Sequence, residues 1–327
     1  MIDILVVSIP STGGWRAAAA ELVAGLRRTG ARVELVEAPK PPHVRTFALT
    51  DLTQAYGAHR ATRAGLAEHR PRAVIYCSVT ASLLWPVRGA IWFDSIAAEN
   101  RPGRHGVWQR MVERRRLKDA TLLLTMSPRS LDPLRGEHAR AVVVPSPIAA
   151  SPHAAADRDI AAIVYAGDPV KRRLDLVLNA WQQARRGDEQ LVVAGTDSLP
   201  PHTKGVELAG RLKPDDYRAL LRRARVFVAA PLREDYGIAP LEALADGCML
   251  VTTPSPGPYP ALQLARELDP RLVSDELVPA IRAALDDPLP GYSERAGELL
   301  EPFTRAAIDA TLKRDVLPVL LPGWGTQ

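Results

Sequence analysis

The sequence predicts an α/β protein built of two doubly wound domains that face each other across a cleft. Three observations carry this expectation. Short β-branched runs alternate with Ala/Leu/Arg-rich helical stretches, the alternation stops at a Pro- and Ala-rich segment near residue 150, and it then starts again. Two halves of similar size result: a first domain over 1–150 and a second over 151–327 that ends in helices.

In the first half, residues 4–7 read as a strand, Gly13-Gly14 as a turn and 17–28 as a helix. Strand-like runs follow at 32–36, 73–77, 90–93, 121–125 and 141–144, with helical stretches at 51–69, 107–117 and 127–135. Runs this apolar, without polar alternation, suit parallel strands covered on both faces. Residues 145–157 lack periodicity and read as a linker. In the second half, strands are expected at 161–165, 191–194, 206–208, 226–229 and 249–252. Helices are expected at 174–185, 214–224 and 240–246, and again from 259 to about 320 with a break at Pro288-Leu289-Pro290-Gly291.

Composition removes several function classes. The 327 residues carry 42 basic and 37 acidic side chains, and 46% hydrophobic content excludes a disordered chain. Two cysteines, Cys77 and Cys248, cannot build a disulfide framework or a Cys-rich zinc site. The seven histidines lack metal-ligand spacing, so no metal is expected. The first β-turn-α unit reads Pro10-Ser11-Thr12-Gly13-Gly14 instead of G-x-G-x-x-G, and no P-loop occurs. A strand-like run at the N-terminus, in place of a leader, and no apolar stretch near the ~20 residues of a membrane span lead to a cytoplasmic expectation. Only six of the 42 basic residues are lysine; the rest are arginine, whose planar fork suits phosphate. No nucleic-acid-binding motif accompanies them, so nucleic acid is not an expected partner.

The segment from Val226 to Pro254 is the chemically informative one. Glu234 falls in a loop at the carboxyl end of a strand, Gly237 at the loop-to-helix junction, and Glu242 on the helix that follows. Glycine there lets a ligand approach the backbone, and the free N–H groups of a first helical turn attract an anion. Pro240 in that turn removes a donor that would be orphaned in any case. Glu242 is placed to accept from a ribose diol, and Glu234 to hold sugar hydroxyls. A nucleoside diphosphate-sugar would use all three features.

The run Glu234-Asp-Tyr-Gly237 through Leu241-Glu242-Ala-Leu-Ala-Asp-Gly247 resembles the Glu-x(7)-Glu signature of family-4 retaining glycosyltransferases of the GT-B fold, with its two Rossmann-like domains. Tyr165-Ala-Gly167 with the basic run after it, Leu191-Val-Val-Ala-Gly195 and Val206-Glu-Leu-Ala-Gly210 are similar to further segments of that family. Thr125-Met-Ser127 and Val143-Val-Pro145 resemble its last strands before the linker. The resemblance implies that Glu234 contacts the donor sugar, Glu242 the ribose, and the backbone of Gly237, Ile238 and Ala239 the diphosphate. Arg211 joins this donor set, and Gly13 and Gly14 match the family's Gly-rich turn near the donor phosphates or the acceptor. It also implies retention of configuration, with the leaving phosphate taking the acceptor's proton and neither nucleophile, metal nor cofactor required.

Two departures stand out. Asp168 occupies the place of the family's donor-loop Arg, leaving Lys171, Arg172 and Arg173 to bind phosphate, with Lys171 expected to be catalytic. Phe93 occupies the slot of a His often found next to the acid, leaving Asp94 as the candidate side-chain base. On the acceptor side, Asn100, Arg101 and Arg104 form a donor-rich loop suited to a phosphate or a polyol. The acceptor hydroxyl could belong to a glycan, a lipid-linked sugar or a small molecule. The basic helix 107–118, with Trp108 and Met111, suggests peripheral contact with the inner membrane face. Rival readings are a nucleotide-sugar epimerase or hydrolase on the same fold, and a non-catalytic nucleotide-sugar-binding protein.

Overall fold

The first strand, β1 (Ile4–Ser8), has every residue buried, which explains its unbroken apolar run. It belongs to a computed structural model that describes residues 2–10, 13–40, 46–101, 103, 106–134, 136–149, 158–199 and 204–325. The chain divides into two units, one of Met1–Pro147 with Arg305–Gln327 and one of Ile148–Thr304.

In the first unit, β1 leads to α1 (Gly13–Arg28), β2 (Val33–Glu37), α2 (Phe47–His69), β3 (Ala73–Cys77), α3 (Val79–Ser82) and β4 (Ala90–Phe93). Next come α4 (Ala97–Asn100), α5 (Val107–Asp119), β5 (Leu123–Thr125), a 3-10 stretch at Pro128–Leu134, and β6 (Ala141–Val143). The sheet order is β2-β1-β3-β4-β5-β6, with every pair parallel and Ile4 flanked by Val33 and Ala73. Trp92 is fully buried in this sheet, and its indole donates to the Val144 carbonyl at 2.8 Å. Among the described residues, the α-helix expected over 127–135 is replaced by the 3-10 stretch Pro128–Leu134. Pro133 lacks the N–H and crowds the preceding turn, so only the tighter 3-10 winding persists.

In the second unit, β7 (Ile160–Tyr165), α6 (Leu174–Ala184), β8 (Leu191–Ala194) and β9 (Val206–Gly210) precede α7 (Pro214–Arg223) and β10 (Ala224–Ala229). After them lie α8 (Ile238–Ala245), β11 (Met249–Thr252), α9 (Pro260–Leu268), α10 (Leu277–Asp286) and α11 (Tyr292–Leu299). The parallel order is β11-β10-β7-β8-β9. The chain therefore winds outward from β7 to β9, then returns to β10 and winds the other way. Loops leaving neighbouring strands at such a reversal part to opposite faces, which opens a crevice at the carboxyl ends of β7 and β10. The corresponding reversal in the first unit lies between β1 and β3.

The last helices, α12 (Arg305–Thr311) and α13 (Leu317–Leu320), count with the first unit. This corrects the assignment of all of 151–327 to the second domain. Asp309 meets Arg28 of α1 at 2.6 Å, Arg305 meets Glu21 at 2.9 Å, and Leu312, Val316 and Leu317 are fully buried. Among the described residues, no helix is long and apolar enough to cross a membrane.

Candidate functional site

The loop after β7 is a series of tight turns. Asp168 accepts from the Lys171 N–H at 3.0 Å through its side chain and from the Arg172 N–H at 2.9 Å through its carbonyl. An acid at this position is thus a turn former, a task arginine cannot perform. Arg173 adopts a left-handed backbone, φ 46°, and its guanidinium donates to the Ala230 carbonyl (2.7 Å) and the Thr253 hydroxyl (3.0 Å). It braces the loop after β10, which engages the guanidinium expected to bind phosphate. Lys171 is exposed, and its carbonyl accepts from the Leu232 N–H at 2.9 Å. Arg172, most of its surface covered, directs Nη1 onto Oε2 of Glu234. That contact is ionic, without the alignment of a hydrogen bond.

Glu234 is held from behind. Its N–H donates to the Pro256 carbonyl at 3.0 Å, and at Gly257 (φ 115°) a Cβ would fall 2.1 Å from the Glu234 carbonyl oxygen. Ser255 donates to the Pro231 carbonyl at 2.6 Å and pairs with the Thr253 hydroxyl at 2.7 Å. Buried Tyr259 reaches the Thr252 hydroxyl at 3.2 Å, and burial pushes its pKa up to about 12. Burial pulls the pKa of Arg172 down, and Tyr259, Tyr165 and Asp168 offset only part of that effect. A cation so stripped of water gains more from an incoming anion than an exposed one does.

Gly237 opens α8 with φ 80°, and a Cβ there would lie 2.9 Å from the Tyr259 ring and 3.0 Å from Glu234 Cγ. The N–H groups of Ile238 and Ala239 begin the helix beside this loop, while Leu241, Ala243 and Leu244 turn into the core. One turn on, Glu242 is half-buried, and burial raises its pKa to about 7 despite Arg218 nearby. Arg218 is itself engaged by buried Asp246, and no ion pair or hydrogen bond holds the Glu242 carboxylate among the described residues. Tyr165, Arg172, Ala230, Pro231, Ala239 and Pro240 line a crevice of about 10 Å³, room for one water. The structure thus brings together Lys171, Arg172, Glu234, Gly237, Ile238, Ala239 and Glu242. Arg211 stands apart, since β8 separates β9 from β7, and it pairs with exposed Asp197 at 3.1 Å.

In the first unit, Asp94, Asn100 and Arg101 line one pocket of about 100 Å³ at the carboxyl ends of β3 and β4. Asp94 Oδ1 accepts from the Ser95 N–H at 2.7 Å, and Asn100 donates to the Ser95 hydroxyl at 2.9 Å. Arg101 is engaged by buried Asp51, Nε to Oδ2 at 2.9 Å and Nη2 to Oδ1 at 3.3 Å, which withdraws it from the expected role of a free donor. Arg104 lies outside the described residues. Gly13 and Gly14 are exposed first residues of α1 and not a turn; neither has a positive φ, and a Cβ on either meets nothing within 4 Å. On α5, Arg110 donates to the Gly103 carbonyl (2.9 Å), Arg116 lies over the Trp85 ring, and Lys118 and Arg115 pair with Glu137 and Asp119. Most of that helix's charge is therefore spent on the protein itself.

Sequence reasoning missed Asp51, Gln109 and Glu113, all buried in the wall of the first unit's pocket. Both Glu113 oxygens accept from the Ala97 N–H, at 2.9 and 2.8 Å, and burial lifts its pKa to about 7. The i, i+4 spacing of Gln109 and Glu113 on α5 is that of an ordinary helix face, and Asp51 comes from α2, so no linear signal marks the three.

Residues 161–287 match the family described as Glycosyl transferases group 1. No curated protein sequence matches the chain. Among solved structures, it is similar to the sucrose-phosphate synthase of Thermosynechococcus elongatus, with a TM-score of 0.75 at 15% identity over 95% of this chain and 97% of that one. It is also similar to WaaG, a glycosyltransferase involved in lipopolysaccharide biosynthesis, with a TM-score of 0.64 at 12% identity over 97% of each chain. The pneumococcal O-GlcNAc transferase GtfA, solved with UDP and GlcNAc, gives 0.65 at 10% identity over 98% of this chain and 99% of that one. The fold class is that of the GT-B glycosyltransferases, two Rossmann-like units with parallel sheets.

Proposed function

We propose that this chain is a retaining glycosyltransferase that moves a hexose-type sugar from a nucleoside diphosphate-sugar to an acceptor hydroxyl. The observation that carries the reading is the convergence of Arg172, Glu234 and the α8 N-terminus at the strand-order reversal of the second unit. The group 1 domain over the same residues supports it.

In this reading Glu242 accepts from the ribose hydroxyls, and the Gly237–Ala239 backbone receives the diphosphate. Lys171 and Arg172 neutralise the charge that grows on the departing diphosphate as the sugar–phosphate bond breaks. Fixed cations and helix N–H groups in a partly dry site make such stabilisation a large catalytic term. Binding exchanges one partner for another: the diphosphate takes Arg172 from Glu234, and the freed carboxylate turns to the sugar hydroxyls. The leaving phosphate accepts the acceptor's proton, so the reading needs neither metal nor covalent nucleophile. Asp94, in the first unit, is the candidate for any side-chain base. Two buried thiols suit a reducing, cytoplasmic setting. The charge left on α5 gives little support to membrane contact.

A panel of nucleotide-sugars tested by thermal shift identifies the donor, because a ligand that binds the native state raises the melting temperature. Proton NMR of the product then reports the anomeric configuration. The reading fails if no nucleotide-sugar shifts the melting curve, or if Glu242→Ala binds the donor as the native chain does. Nucleotide release that needs no acceptor marks a hydrolase instead.

A further inference from the structure

Asp246 is an acid in an unfavourable place. It caps the C-terminal end of α8, where the helix dipole repels negative charge, and its side chain has no exposed surface. It also stands four positions after Glu242, on the same face of the helix, and like charges at that spacing repel. Arginine offsets this. Arg218 of α7, its side chain 12% exposed, grips the carboxylate with its planar fork, Nε on Oδ2 and Nη2 on Oδ1 at 3.0 Å. Nη2 also donates to the Ala149 carbonyl at 3.0 Å, and Arg222 stands 3.8 Å from Asp246 Oδ1. Three bonds thus fix the Arg218 guanidinium close to Glu242, whose carboxylate no ion pair or hydrogen bond holds among the described residues. Burial lifts the Glu242 pKa to about 7, Arg218 pulls it down and Asp246 pushes it up. Tyr217 of α7, Cys248 before β11, Tyr259 before α9 and Tyr292 of α11 also pack round α8, and burial keeps all four neutral. Arg158 turns to the Asp246 carbonyl at 2.7 Å.

We propose that Asp246 and Arg218 are positioning residues for Glu242: Asp246 anchors the guanidinium where its charge favours the Glu242 carboxylate but cannot close on it, so that both Glu242 oxygens are left to a ligand diol. An arginine without that anchor would turn onto the nearest open carboxylate, as Arg172 does onto Glu234, and a ligand would then have to displace it. Stability alone does not call for the acid, because apolar residues in place of a buried ion pair commonly leave a fold as stable or more so. That the diol is a nucleotide ribose rests on the transferase reading; the charge coupling of the three side chains does not.

Carbon-13 NMR of the Glu242 carboxyl in the full, ligand-free chain reads this coupling directly, with Glu242→Gln to assign the signal. The native midpoint is expected at about pH 7. Arg218→Met should move it up by about one pH unit, because a favouring charge is lost. Asp246→Asn should move it down by about one pH unit, because a like charge is lost and Arg218 is released. The double variant Arg218→Met/Asp246→Leu should fall between the two. Should Arg218→Met be too unstable to titrate, Asp246→Asn and the double variant, which leaves no unpaired acid, decide the matter. Shifts of the same sign in the two single variants, or no shift, overturn the proposal, since a purely structural pair moves stability alone. At pH 8, affinity for the nucleotide-sugar identified by thermal shift should weaken about tenfold in Asp246→Asn, as Arg218 closes on the carboxylate. Unchanged affinity there overturns the claim that Asp246 holds Arg218 off. Failure of the transferase reading is told apart by the nucleotide-sugar panel, which can fail while the carboxyl titration still gives opposite shifts.

Discussion

Arg172 and Glu234 hold one another at the strand-order reversal of the second unit, Nη1 against Oε2, with side chains 22% and 6% exposed. The cation and the carboxylate to which the proposed transferase assigns the diphosphate and the sugar are here each other's partner. An ion pair of this kind keeps both groups charged in a largely desolvated place.

Glu234→Gln strands the guanidinium, at a cost of about 3 kcal/mol, the lower end for a broken buried pair because a fifth of Arg172 is exposed. The double variant Arg172→Met/Glu234→Gln should recover most of that loss in urea denaturation. Sugar transfer should fall at least ~100-fold in both. Recovered stability with recovered turnover would show that the pair is structural only.

Glu242 gives a pH test. Its pKa of about 7 lies above the ordinary 4.5, so between those values the folded state keeps a proton that the unfolded state has lost. Stability from this residue is therefore highest in acid and declines as pH rises from 4.5 to 7. Glu242→Gln should remove that decline, so its melting temperature gains on the native chain between pH 5 and pH 8. Nucleotide affinity should rise roughly tenfold from pH 6 to pH 8 as the carboxylate ionises, and stay flat in the variant.

Gly237→Ala meets both a positive φ and the Tyr259 ring, and should cost about 1–2 kcal/mol, with donor KM raised. Gly257→Ala should cost more, because its new methyl meets the fixed Glu234 carbonyl and not a side chain that can swing aside. Chemical denaturation of the two variants checks the order.

Asp168→Arg restores the arginine that the resembling family carries, yet should lower turnover, because the turn that presents Lys171 and Arg172 depends on the Asp168 carboxylate. Asp168→Asn, which can still accept from the Lys171 N–H, should turn over nearly as the native chain does. Initial rates of all three chains decide it. A faster Asp168→Arg would mean that direct charge outweighs loop geometry.

Strands covered on both faces were plain in the sequence: β3, β4, β8 and β11 occupy the very residues expected, because burial demands unbroken apolar runs. Exposed helix starts were not. α1 begins at Gly13, four residues before position 17, and the two glycines that open it have poor helix propensity. The donor-side loop was legible as a basic cluster, but which of Lys171, Arg172 and Arg173 faces a ligand depends on the left-handed turn at Arg173, a property of the folded loop. Asp51 and Gln109 come from α2 and α5, fifty-eight positions apart, and only tertiary packing makes them neighbours.

The return of α12 and α13 to the first unit has a bearing on biogenesis. Residues 148–304 form one continuous stretch of the chain, whereas the first unit is made of two. The first unit, although synthesised earliest, lacks Asp309 for Arg28 and the apolar cover of Leu312 and Leu317 until residues 305–327 emerge. The face of α1 around Gly25, against which Asp309 and Leu312 pack, therefore gains its cover only after the second unit has been made, so the unit that begins first completes its packing last.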